Sequence, residues 1–191
     1  MPVDPEALER PLPKPTTEDY IGARLLEALV EAALALEFLG HGLVRNAAGK
    51  AFQSWRALLA ALLRLELDNL VKLAKTDEER QWLVGRAIPR VPTTRMVRLS
   101  QMLEVVGHAG LLANTSLALE LHDYQYNGPD PDLAMSKFRD RSEAAIAVIG
   151  LVRELARRIE ELKTRVRWSG QLENALNALK EELGKAGGRS P

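Results

Sequence analysis

The chain of 191 residues contains no cysteine, which excludes disulfides, thiolate metal sites and a cysteine nucleophile. Aromatic residues make up only 5%, and the β-branched and aromatic types that favour strands are sparse beside Ala and Leu. No charge of one sign prevails: 26 basic residues face 26 acidic ones, so no net field draws the whole molecule onto nucleic acid or a membrane. No uninterrupted apolar run is long enough to cross a bilayer, because charges break the windows at 25–39 and 57–70. No apolar core follows a basic start either. These absences predict a cytoplasmic protein. What is present, 46% hydrophobic and 27% charged residues, suits one folded domain.

Residues 1–16 carry five prolines and read as a flexible arm. Thr16 and Thr17 are candidate N-caps for a first helix, whose apolar residues Ile21, Leu25, Leu29, Ala32, Leu36 and Leu39 recur at helical spacing up to Gly40 and Gly42. A second helix is predicted over 43–74 and a third, short one opens at the capping box Thr76–Glu79. Gly49 near the start of the second helix implies close packing against a neighbour. A fourth helix is expected over 94–122, a turn-rich loop over 123–131 and a fifth helix over 132–168. In the fifth helix Phe138, Ala145, Val152, Ile159 and Val166 repeat every seven residues. A last helix carries Leu172, Leu176, Leu179 and Leu183, with Gly184 as its stop. The predicted class is all-α: an antiparallel bundle of five to six helices over 17–184, with a disordered tail over 185–191.

The sharpest local charge feature is an acid-free run with Arg80, Arg86, Arg90, Arg95 and Arg98. Arginines 86, 90, 95 and 98 are candidate phosphate contacts; alternatively they pair with acids from other helices. The sequence Ala47-Ala48-Gly49-Lys50 resembles the tail of a phosphate loop, but the first glycine, the hydroxyl residue after lysine and the preceding strand are all missing. Glu37 with His41 and Glu104 with His108 stand four apart, a spacing for surface pairs or, on two helices, for a metal. Asn114-Thr115-Ser116 place polar groups on an apolar helix, and Tyr124 and Tyr126 stand in the loop beside His122, to plug the helices or stack on a base. No metal or cofactor is expected, and no serine has a nucleophile-elbow context.

The stretch from Gly42 to Leu62, with Arg45, Asn46, Lys50 and Trp55, resembles the signature segment of the archaeal PaREP paralogous-repeat family. Glu37-Phe38-Leu39-Gly40 before it and Leu119-Glu120-Leu121-His122 after it resemble the family too. The resemblance implies a bundle akin to HEPN domains, a group that often dimerises and often partners small nucleotidyltransferases. HEPN ribonucleases carry Arg and His four to six residues apart on one helix, and no histidine here completes that spacing. The first expectation is therefore a non-catalytic interaction module, a homodimer whose partner is RNA or a nucleotidyltransferase-like protein. The alternative is a ribonuclease or toxin-like enzyme drawing on His108, His122, Glu104 and Arg98, which requires those side chains to converge. A third reading is a small-molecule-binding bundle with a dry pocket among its helices.

Overall fold

Ala- and Leu-rich helical periodicity runs through most of the chain, and the computed structural model, which describes residues 6–187, is helical wherever it is regular. The elements are α1 (Glu6–Glu9), α2 (Asp19–Gly40), α3 (Val44–Leu65), α4 (Leu67–Leu73) and α5 (Asp77–Trp82). A π-helical turn (Leu83–Ala87), α6 (Ile88–Arg90) and a 3-10 turn (Thr93–Arg95) lead into α7 (Met96–Val105). Then come α8 (Leu111–Asn127), α9 (Arg141–Glu161) and α10 (Gly170–Gly187). No strand occurs among the described residues, and none of their helices is long and apolar enough to cross a membrane.

Helix α3 lies at the centre, packed by α2, α8 and α9. It is buried almost all round, because Ala47, Ala48, Ala51, Ala57, Ala60 and Ala61 let neighbours approach while Phe52, Trp55, Leu58, Leu59 and Leu62 fill the space between them. Gly49 shows the closeness directly. A Cβ there would lie 2.6 Å from the Gln125 side chain of α8, so the close packing expected of this glycine is present. Helix α10 closes over α2 and α9 with Leu172, Leu176 and Leu179 buried.

More helical segments form than the five to six expected: among the described residues, eight have six residues or more. The expected 43–74 helix breaks at Glu66, and the 94–122 helix breaks over 106–110, where Gly107 (φ 111°) and Gly110 (φ 73°) take left-handed backbone. Helix α8 then continues to Asn127, through half of the expected loop. The 132–168 helix is shorter at both ends, Arg141–Glu161. Asp130 instead organises a loop by accepting hydrogen bonds from the amides of Asp132, Met135 and Ser136. Phe138 packs from that loop, not from a helix, and Ala144 rather than Ala145 is fully buried in the seam. Neither Thr16 nor Thr17 caps α2; the N-cap is Glu18 without a side-chain bond, while the Thr17 hydroxyl donates back to Lys14 O. Gly184 stops nothing, since α10 runs to Gly187. Residues 1–5 of the arm and 188–191 of the tail lie outside the described residues.

Caps hold the predicted starts elsewhere. The Thr76 hydroxyl accepts from Glu79 N (3.2 Å) at α5. The Asp140 carboxylate accepts from Ser142 N (2.7 Å) and Glu143 N (3.0 Å) at α9, and Glu143 returns a bond to Arg139 N. Asp140→Ala is expected to lower stability by about 1 kcal/mol. Urea unfolding followed by circular dichroism measures it, and an unchanged midpoint would mean the cap contributes nothing.

Candidate functional site

The acid-free run is presented on an edge that the sequence bends deliberately. Pro89 has no N–H to continue an α-helical ladder, and the chain widens ahead of it into the π-helical turn, where Ile88 N donates to Leu83 O. Val91 then takes a left-handed backbone (φ 39°), and Pro92 restarts the chain toward α7. Buried Leu83, Ala87, Ile88, Val91, Met96 and Leu99 anchor this edge to the core. Two side chains of α2 pin its backbone: the Tyr20 hydroxyl donates to Ile88 O (2.9 Å), and Arg24 donates to Pro89 O (2.8 Å). Burial pushes the Tyr20 hydroxyl above its ordinary pKa, against the opposing pull of Arg24, so it remains a donor.

The side chains that point away are the basic ones. Arg86, Arg90, Arg95 and Arg98 are exposed, and none of the four makes a side-chain hydrogen bond or ion pair within the described residues. Several other arginines are committed. Arg24 pairs with Glu27, Arg80 with Asp77, Arg157 and Arg158 with Glu154, and Arg165 with Glu66. Val84, two residues before Arg86, and Val97, between Arg95 and Arg98, are also exposed.

The signature-like segment is mostly architecture. Arg45 donates from Nε to Gln125 O (2.9 Å) and also bonds Tyr126 O, satisfying carbonyls at the C-terminal end of α8. Lys50 pairs with Glu31 at 2.9 Å, and Asn46 is exposed. Trp55 is fully buried and donates from its indole to Thr115 Oγ1 (2.9 Å), which is in turn 2.7 Å from Ser100 Oγ. The polar group on an apolar helix thus has its partners in the core, and Ser116 and Asn114 bond back to carbonyls of their own helix and its cap. Lys50 sits on a helix with no phosphate loop before it.

The two loop tyrosines separate. Tyr124 is buried edge-on against Phe138 (5.7 Å between centroids), a plug, whereas Tyr126 is 65% exposed and meets His122 edge-on. His122 itself stacks on Phe52 at 4.1 Å.

The i, i+4 pair Glu104 and His108 does not form, because α7 ends at Val105. Glu104 accepts from Leu112 N (2.9 Å), capping α8, and His108 turns instead to Glu66 (Nε2 to Oε1, 3.0 Å). His41 follows the end of α2 and is exposed. No three His, Asp or Glu side chains among the described residues form a group able to hold a metal. His108, His122, Glu104 and Arg98 are each engaged elsewhere or exposed, and no hydrogen bond, ion pair or ring contact joins two of them.

Two clefts exist. The larger, about 1190 Å³, lies between Arg10–Pro13 of the arm, the first half of α2 and the α9–α10 connection. Its walls mix Leu26, Val166 and Trp168 with Glu18, Asp19 and Arg167, so it is not a dry pocket. The smaller, about 310 Å³, opens beside His108. The carboxylate that bonds His108 and Arg165 of its lining was not visible in the sequence, since Glu66 stands 42 residues before His108 and 99 before Arg165.

The described residues are thus helical without strands, and four exposed arginines from Arg86 to Arg98 make no ion pair among them. Residues 23–149 match the model of the archaeal PaREP1/PaREP8 family, and the chain belongs to that family. No curated protein and no solved structure matches it.

Proposed function

We propose that this chain is a non-catalytic helical interaction module that contacts RNA through Arg86, Arg90, Arg95 and Arg98. The observation that carries the reading is that these four exposed guanidiniums stand on an acid-free run of sequence and make no ion pair among the described residues. Phosphates complete the fork of an arginine in the same way that a carboxylate does. A chain without net charge then acts through this edge rather than through a whole-molecule field. The mutual packing of α2, α3, α8 and α9 supports a HEPN-like bundle as the scaffold.

The same module is a homodimer in this reading. Leu43, Tyr126, Leu133 and Met135 are four exposed large apolar residues on segments that hydrogen bonds tie to the start of α3 and the end of α8. Arg45 reaches Tyr126 O from the start of α3, and Asn127 reaches Met135 O from the end of α8. Exposed apolar residues of this kind favour a subunit or partner contact. Light scattering on a gel-filtered sample reads the mass; a monomer at all concentrations would remove the dimer.

The RNA contact is tested with a labelled single-stranded RNA and fluorescence anisotropy across a salt series. Each phosphate contact contributes about 0.7 to the slope of log affinity against log salt. Arg90→Ala with Arg95→Ala is therefore expected to flatten the slope by about 1.4 and weaken binding regardless of base sequence. An unchanged affinity and slope would refute the contact.

A further inference from the structure

The 310 Å³ cleft is lined by Leu62, by Gly107, His108 and Ala109 of the α7–α8 turn, and by Arg157, Arg158, Glu161, Leu162 and Arg165. Glu66, buried in the break between α3 and α4, does not line the cleft but bonds two residues that do: its carboxylate accepts hydrogen bonds from His108 Nε2 (3.0 Å) and from Arg165, and from Asn69 Nδ2 (2.9 Å). Burial by itself would raise the Glu66 pKa, but those three donors outweigh it and hold the carboxyl below its usual value. An ionised carboxylate only accepts, so His108 Nε2 must carry the hydrogen. The free ring nitrogen is then Nδ1.

The donors left over are the informative part. Arg157 spends its guanidinium on Glu154 and Glu161, the one acid lining the cleft. Arg158, whose side chain is 8% exposed, uses Nε on Glu154 and Nη2 on Ala109 O, leaving Nη1 without a protein acceptor. Arg165 uses only Nη2, on Glu66, leaving Nε and Nη1. Two guanidiniums bordering one small cleft, Arg158 through Nη1 and Arg165 through Nε and Nη1, thus have donors without a protein acceptor among the described residues, and His108 presents Nδ1 as an acceptor beside them. These spare donors belong to side chains that line the cleft, where an entering oxygen acceptor can reach them. A tetrahedral oxyanion offers several at once, and Arg forks fit it.

We propose that this cleft binds a phosphomonoester, with Arg158 and Arg165 holding the phosphate and His108, oriented by Glu66, contacting the ester side. The volume is at the lower end for ligand sites, enough for a phosphate with a small substituent and too little for a polymer to thread. The site is distinct from the arginine edge, sharing no residue with it. The phosphomonoester is supplied either by a free mononucleotide or by the 5′ end of an RNA.

The test is titration of the full-length protein with AMP, with a 5′-phosphorylated RNA trinucleotide and with adenosine, following the His108 ring signals by NMR. AMP is expected to shift His108 and adenosine is not. A response to AMP assigns a free mononucleotide; a response at lower concentration to the trinucleotide than to AMP assigns an RNA end. Arg165→Gln is expected to weaken AMP about tenfold, as for loss of a charge-assisted bond. Arg165→Lys keeps the charge beside Glu66, serves if the glutamine variant does not fold, and is expected to weaken AMP several-fold. Arg90→Ala with Arg95→Ala should leave AMP binding unchanged, which separates this site from the proposed RNA edge. No His108 shift with millimolar AMP or trinucleotide, an equal response to adenosine, or full affinity in the Arg165 variants would overturn the proposal and leave a structural ion-pair network.

Discussion

Trp55→Ala is expected to destabilise the fold by about 4 kcal/mol, the largest effect of any single substitution considered. Trp55 is the largest fully buried side chain and sits on α3, the helix that α2, α8 and α9 all pack against. Its removal opens a cavity that alanine-rich neighbours cannot close, and it takes the indole donor from Thr115. Trp55→Phe separates the two terms. It keeps most of the ring volume and loses the N–H, so it is expected to cost about 1.5 kcal/mol. Urea midpoints by circular dichroism read both. If the phenylalanine variant were as unstable as the alanine variant, the hydrogen bond to Thr115 and not the packing would be what holds α3 to α8.

Glu66→Ala is expected to cost about 3 kcal/mol, because it leaves His108 and Arg165 facing a buried void without an acceptor. The effect has a pH signature. Glu66 has its pKa lowered on folding, so its contribution is fully present above the ordinary carboxylate value of about 4.3 and is lost as pH falls through the lower folded value. The stability gap between wild type and Glu66→Gln should therefore be widest near neutrality and close in acid. A gap that stayed constant from pH 7 to pH 3 would mean that the carboxylate's charge is not what the cluster uses.

The long helices were legible because their apolar residues recur every three or four positions over many turns, as Leu25, Leu29, Ala32 and Leu36 do in α2. The breaks were less legible. Leu65-Glu66-Leu67 holds neither Gly nor Pro, and only the buried partners of Glu66 explain why the helix stops there. Gly107 and Gly110 were visible, yet the apolar pattern on both sides reads as one helix until their positive φ values are known. That break also redirected the chemistry. An i, i+4 pair needs unbroken helix, and with α7 ending at Val105 Glu104 caps α8 while His108 meets an acid 42 residues away. Long-range meetings of that kind carry no spacing signal. Four of the arginines, by contrast, are close enough in sequence to be read together, and the bent, proline-marked backbone leaves all four exposed.

The measurement that bears most directly on the proposed RNA contact is the affinity of the unaltered protein for a single-stranded RNA at 50 and 200 mM salt. With four arginine–phosphate contacts the slope of log affinity against log salt should be about −2.8, a loss of roughly 50-fold over that range. Binding that is absent at the lower salt, or that does not change between the two, would contradict the assignment of the Arg86–Arg98 edge to nucleic acid.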